Sequence, residues 1–336
     1  MSLSAKKALF RLDAGKQYGL GHLMRSMALA DALSKQAIEC TFAVKHIHDQ
    51  HAIKPHYLLV IKSELEFLSL AEHYNIIIID HYEYASELFY QLSKLMHSAL
   101  IVIDDEANRG QLYADMIVNS LKQANLSVYK QQSPKAQLLL GWDYVLLGKH
   151  FAEQKMMAYK QRQSIIINFG GADVTSLTLP VLQQIKKTLL SEFTIIVVTG
   201  AACQQHLAIE AYCQQQSFDY HHDVKNMALL LSRGALAIAA AGSSIFELAY
   251  CGVPSVLAVV ADNQLLSCQE QQQYGWCTMV DCRRGDHSSE QATALLDKAQ
   301  QMIHSGQLES YSKMARSLIN GRGAERVAIE INQLCN

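Results

Sequence analysis

The chain has 336 residues, half of them hydrophobic and 18% charged, with a formal net charge of −2. That length exceeds one ordinary core and suits two domains of roughly 150 residues each, while the near-neutral balance argues against a nucleic-acid or acidic-membrane surface. No apolar run approaches a membrane span, and MSLSAKKALFRLD meets Arg11 and Asp13 before a signal-peptide core could form, so the expectation is a soluble, cytoplasmic protein. Eight cysteines carry no CxxC pair, which argues against a zinc site and, in a chain this large, against a disulfide framework.

In chain order, short apolar runs recur with amphipathic stretches between them: ALFRL, CTFAV, YLLVI, IIIID, LIVID, MIVNS and QLLLG. Strands apolar on both faces, separated by helical segments, are what a parallel sheet covered by helices requires. The polar segment 152–163 breaks the alternation, which then resumes with SIIINFGG, TIIVVTG, ALAIAAAG, PSVLAVV and CTMVD, followed from about residue 288 by helices only. The expected organisation is an α/β chain of two Rossmann-like domains, residues 1–150 and 164–336, joined by a linker over 151–163. The second domain is expected to carry the terminal helices. The glutamine runs at 214–216 and 271–273 read as solvated helix faces.

Ligands of such sheets bind beyond the carboxyl ends of the strands, so residues that follow strands carry the functional prior, and the cleft between two such domains is the natural active site. In FRLDAGKQYGLGHLMRSMALADAL, residues 10–33, glycines including Gly21 join a strand to a helix that opens at His22. The positive end of a helix disfavours imidazolium, which predicts a neutral ring able to take a proton; a capping or packing histidine is the alternative. NFGGADVTSLT offers a second glycine turn with Asp173, which as a plain turn needs no ligand. In the third segment, Gly242, Ser243 and Ser244 stand where a strand of small residues meets a helix, placed to hold a diphosphate, with Glu247 one turn on and able to reach a ribose diol. Asp262, Asn263 and Gln264 follow the next strand.

The blocks RLDAGKQYGLGHLMRSMALADAL, DHY, VIDDEANR, LLLGWDYVLLGKHF, NFGGADVTSLT, AAAGSSIFELAYCGVPSV and ADNQ together resemble the UDP-sugar hydrolases of pseudaminic acid biosynthesis. The resemblance implies a GT-B fold, two Rossmann-like domains facing across a cleft, and hydrolysis of UDP-2,4-diacetamido-2,4,6-trideoxy-β-L-altropyranose by inverting attack of water at the anomeric carbon. It implies His22 as general base, Tyr82, Asn263 and Gln264 along the sugar pocket, Ser243, Ser244 and Glu247 on the uridine diphosphate side, and neither metal nor cofactor. Amides at 242–244 would stabilise the charge on departing UDP. Arg11, Asp13 and Arg25 are candidates to fix the substrate or the ring, with burial in a helix face the favoured fate of Arg25.

A GT-B glycosyltransferase using the same pocket on a UDP-N-acetylated sugar, a hydrolase of a related UDP-diacetamido sugar, and a non-catalytic nucleotide-sugar sensor are the competing readings. His46, His48 and His51 in HIHDQH read as solvated loop histidines rather than metal ligands, and Asp104 and Asp105 as residues that hold a loop or touch the sugar. The expected partner is a small-molecule UDP-sugar, with a monomer as the default state.

Overall fold

The structure is a computed structural model that describes residues 6–15, 21–47, 53–84, 86–95, 97–122, 126–284 and 288–335. The chain divides into two units, one formed by Met1–Lys149 with Gly321–Asn336 and the other by His150–Asn320.

In the first unit the strands are β1 Lys7–Arg11, β2 Glu39–Val44, β3 Tyr57–Val60, β4 Ile76–Ile79, β5 Ala99–Ile103, β6 Met116–Asn119 and β7 Gln137–Leu140. Each of the seven apolar runs read from the first half is one of them. They pair in parallel in the order β3-β2-β1-β4-β5-β6-β7. The alternating side-chain direction of a strand explains the unbroken apolar runs: Ile76 and Ile78 of β4 enter one core, Ile77 and Ile79 the other. Helix α1, Gly21–Ser34, closes the first core with Leu23, Leu29 and Leu33, while α2 Glu64–Ala71, α3 Ser86–Leu92 and α4 Leu126–Gln132 close the second with Phe67, Phe89 and Tyr129. Each fully buried isoleucine contributes roughly 1.5–3 kcal/mol, and Phe10 stacks on its register partner Phe42 at 4.7 Å.

The second unit pairs β8 Ser164–Asn168, β9 Thr194–Thr199, β10 Asp219–His222, β11 Gly234–Ala240, β12 Ser255–Val259 and β13 Cys277–Asp281 in the order β10-β9-β8-β11-β12-β13, again in parallel. Its helices are α5 Lys149–Glu153, α6 Thr178–Ile185, α7 His206–Gln216, α8 Met227–Leu231, α9 Ser244–Cys251, α10 Leu265–Gln272, α11 Ser288–His304 and α12 Leu308–Leu318. Strand β10, DYHH, was not read from the sequence.

Two boundaries differ from expectation. The segment expected as a linker belongs to the second unit: Arg162 is buried and donates to the carbonyls of Gly234, Cys251 and Gly252, and the Tyr159 hydroxyl donates to Ala235. The last helix, α13 Gly323–Leu334, belongs to the first unit rather than the second. Its apolar stripe Ala324, Val327, Ala328 and Ile331 joins the core beneath α1, and Lys35–Glu325 and Gln137–Glu330 contacts border it. A methyl group on Gly323 would overlap the backbone of Tyr144 and Val145, so only glycine permits this approach. Gln271, expected on a solvated face, is buried and accepts from the Trp276 indole at 3.0 Å.

All eight cysteines are unpaired thiols, seven of them buried. No helix among the described residues is long and apolar enough to cross a membrane. The strand order reverses direction at β1/β4 in the first unit and at β8/β11 in the second. Such switch points open the crevices in which doubly wound sheets bind ligands.

Candidate active site

At the first switch point, His22 is the second residue of α1, Asp80 follows β4 directly, Tyr82 stands two residues on, and Asp105 follows β5. His22 is buried and its Nδ1 lies 2.5 Å from Asp80 Oδ1. Arg25, one helical turn along α1, grips the same carboxylate with Nη2 to Oδ1 at 2.5 Å and Nε to Oδ2 at 2.8 Å, and Ser26 Oγ donates to Oδ2 at 3.0 Å. The far side of the guanidinium meets both oxygens of Asp105, at 3.0 and 2.8 Å, and the Tyr82 hydroxyl donates to Asp105 at 2.5 Å. The Tyr82 ring returns edge-on to His22, centroids 4.5 Å apart. Arg25 is therefore an organising residue of this cluster, not a bystander on a helix face.

The tautomer of His22 follows from its neighbours. Arg25 Nη2 also lies 3.2 Å from Nδ1, but a ring nitrogen that accepted from arginine would turn its lone pair on a carboxylate 2.5 Å away. The arrangement that satisfies the shorter contact has Nδ1–H donating to Asp80, with Arg25 Nη2 donating to Asp80 Oδ1 rather than to the ring, which leaves Nε2 as the basic atom. Burial alone would favour a neutral Asp80, but Arg25 and His22 hold its carboxyl far below the ordinary range. Burial likewise opposes charge on Asp105, and Arg25 and Tyr82 keep it ionised.

Arg11 and Asp13, expected to fix the substrate or the ring, lie in a second buried network. Arg11 is 1% exposed, and its five N–H groups meet the Leu12 carbonyl, both oxygens of Asp13 and both oxygens of Glu64. Asp13 also accepts the backbone N–H groups of Lys45 and His46 and faces His81 Nε2 at 3.0 Å. Glu64 completes the network with Lys45 and the Tyr84 hydroxyl. Every side-chain polar atom of Arg11 and Asp13 is engaged internally, tying the end of β1 to Glu64, Lys45 and His46.

The network implies acid sensitivity. Burial opposes charge on Glu64, yet Arg11, Lys45 and Tyr84 lower it from 4.5 to about 2. A depressed carboxylate binds its proton more readily in the unfolded chain, so its stabilisation is complete above pH 4.5 and is lost as pH falls towards 2. The urea midpoint is expected to drop across that window, and less steeply in Glu64→Gln; an equal slope in the two proteins would refute the assignment.

In the second unit, Ala241, Gly242 and Ser243 link β11 to α9. Ser243 is exposed, has helical backbone angles and makes no capping bond, while Ser244 Oγ donates back to the Ala240 carbonyl at 2.9 Å. No side chain caps α9, and its Ile245 and Phe246 N–H groups donate to the carbonyls of Gly242 and Ser243. Gly242 has no positive φ, and a Cβ there would meet only Gln264 Nε2, at 3.7 Å. Gln264 is held by its Oε1, which accepts the Val260 N–H at 3.0 Å, so the structure brings Gly242 and Gln264 together; Asn263 precedes it in the turn Asp262–Gln264. Glu247 is partly buried with no cationic partner among the described residues, and burial pushes its carboxyl up to about 7.

Asp173 takes the plain role: it has a left-handed backbone (φ 47°) and accepts the N–H groups of Leu177 and Thr178, capping α6. Asp104 accepts from Ala107 N–H, Arg109 and Tyr129 and holds its loop. His222 stacks on His206 at 4.4 Å, and His221 pairs with Asp219. His48 and His51 lie outside the described residues, and among those described no group of three or more His, Cys, Asp or Glu could hold a metal ion. Sequence reasoning missed Asp80 and the pairing of Arg25 with Asp105. The signal was available in part: an ionisable residue directly after a buried run of four isoleucines stands where ligands bind.

No family model matches the chain. Over 245 residues it is 25% identical to the UDP-2,4-diacetamido-2,4,6-trideoxy-β-L-altropyranose hydrolase of Campylobacter jejuni, covering 72% of this chain and 87% of that protein. It is also 28% identical over 273 residues to the uncharacterized protein MJ1062 of Methanocaldococcus jannaschii, covering 75% of this chain but only 55% of that protein's length. Among solved structures, Acinetobacter baumannii MurG superposes with a TM-score of 0.63 at 16% identity, over 98% of this chain and 99% of that one. The fold is GT-B. The resemblance read from the sequence is thus matched by a relative of that name along most of the chain, and by the architecture along nearly all of it.

Proposed function

We propose that this chain hydrolyses UDP-2,4-diacetamido-2,4,6-trideoxy-β-L-altropyranose to UDP and the free sugar, in the cytoplasm and as a step of pseudaminic acid biosynthesis. The observation that carries the reading is His22, whose Nδ1 meets Asp80 at 2.5 Å and whose Nε2 is therefore the basic atom, on a chain similar to a hydrolase of that substrate.

In the proposed step, water attacks the anomeric carbon on the face opposite the nucleotide while one of its protons passes to His22 Nε2. The C1–O bond breaks, its electron pair stays with the β-phosphate, and the anomeric configuration inverts. A diphosphate whose last ionisation lies near pH 6 leaves without protonation, helped by the backbone amides at 242–244 and the Ser243 hydroxyl, with Gly242 leaving room for the phosphates. Ser244 contributes its backbone N–H, its hydroxyl being bonded to Ala240. Tyr82, Asn263 and Gln264 are assigned to the sugar.

Glu247 is assigned to the ribose hydroxyls, which would donate to a carboxyl that has no cationic partner among the described residues. Glu247→Gln is then expected to weaken UDP binding by about tenfold or more at about pH 8.5, where the carboxyl is ionised, as losing a hydrogen bond to a charged group costs about 1.5–3 kcal/mol, while 2′,3′-dideoxy-UDP binds both proteins alike. Calorimetry showing equal UDP affinity would remove Glu247 from the site.

Incubating the UDP-sugar with this protein alone tests the reaction class. Equal amounts of UDP and free sugar support hydrolysis; release only when an acceptor is added means glycosyl transfer, and binding without turnover means a sensor.

A further inference from the structure

The closed ring His22–Asp80–Arg25–Asp105–Tyr82 does more than deliver a base to the site. The geometry points to Asp80 and Arg25 as positioning residues, Asp80 setting the tautomer and direction of His22, and Arg25 locking Asp80 while tying Tyr82 to the same frame. The inference rests on the assignment of His22 as the base.

Three observations carry it. Asp80 is 1% exposed and places Oδ1 on Nδ1, the nitrogen that must hold the proton if Nε2 is to receive one. A carboxylate in that position fixes the ring rotation and stabilises the imidazolium formed as water is deprotonated. Second, a lone buried carboxylate has two oxygens and could turn; here Arg25 Nε and Nη2 bind both in the two-pronged geometry that lysine cannot supply, and Ser26 adds a further donor. Third, the same guanidinium holds Asp105, which holds the Tyr82 hydroxyl, and the Tyr82 ring lies against His22. Base and sugar-facing tyrosine are therefore referenced to one rigid cation rather than to two independent loops.

The charged groups facing His22 are Asp80 from the end of β4 and Arg25 from α1, with the Tyr82 phenol beside the ring and Asp105 one side chain further. Replacing Asp80 with asparagine preserves shape but lets the amide NH₂ donate to Nδ1, which moves the ring proton to Nε2 and occupies the atom needed as base.

The tautomer is read directly by ¹⁵N NMR of histidine-labelled protein at about pH 8.5, well above the ordinary histidine range, with the His22 signals assigned by their loss in His22→Asn. In the wild-type protein the proton is expected on Nδ1; finding it on Nε2 overturns the inference without any Asp80 or Arg25 variant having to fold. Asp80→Asn is expected to move it to Nε2 and lower kcat by about 10³-fold or more, with UDP affinity unchanged. Asp80→Glu, which restores a carboxylate, is expected to return the proton to Nδ1 with part of the rate. Arg25→Lys is expected to lower kcat and raise KM together, because both Asp80 and Tyr82 lose their common anchor. Wild-type kcat and tautomer in Asp80→Asn sink the positioning role while leaving His22 as base; full activity in His22→Asn sinks the underlying assignment instead.

Discussion

His22→Asn is expected to lower kcat by about 10²- to 10⁴-fold, the usual worth of a positioned general base, while UDP affinity stays at its wild-type value. The two halves of this expectation rest on different units of the chain. The residues assigned to the nucleotide, Gly242, Ser243, Ser244 and Glu247, belong to the second unit, whereas His22 belongs to the first. Asparagine is the informative replacement because its amide can still donate to Asp80, so the buried carboxylate keeps a partner where His22 stood and the loss reports on proton transfer rather than collapse. Steady-state kinetics with the UDP-sugar and calorimetry with UDP separate the outcomes. A kcat within threefold of wild type means that another group activates the water.

Arg11→Met is expected to destabilise the first unit by about 3–5 kcal/mol, the range for removing one member of a buried ion pair. The side chain is one of the largest fully buried in the protein, and methionine matches its apolar length without its donors. Asp13 keeps two backbone N–H groups and His81, and Glu64 keeps Lys45 and Tyr84, so the loss should fall towards the lower end. Combining Arg11→Met with Glu64→Gln is expected to cost less than the sum of the two changes, since the second removes a charge that the first leaves under-compensated. Urea unfolding at pH 7 measures both. A loss below about 1 kcal/mol would mean that the network is solvated and carries little stability.

Arg11 and Arg25 mark what the sequence could and could not convey. Apolar runs announce strands because a parallel sheet buries both faces, and Ile76 to Ile79 become β4 for that reason. Strand β10 escaped because it lies at an edge, where a single neighbour and a wet flank allow Asp219, His221 and His222. Helix α13 was assigned to the wrong unit because an amphipathic stripe does not name the surface it covers; the deciding features, a glycine against the backbone of Val145 and a stripe against α1, depend on residues far away in the chain. Arg25 and Asp80 are 55 residues apart, and Arg25 and Asp105 are 80 apart. As isolated letters, buried partners of this kind read like any surface charges. The glycine–serine turn before α9 was legible because its chemistry is local, a strand end followed by an open helix start.

Hydrolysis of the UDP-sugar in H₂¹⁸O, followed by NMR from the first turnover, tests the central claim most directly. Water attacking the anomeric carbon predicts ¹⁸O in the free sugar, unlabelled UDP, and the inverted anomer as the first product. Label in the β-phosphate of UDP, or retention at the anomeric carbon, would contradict a histidine-activated water acting at that carbon.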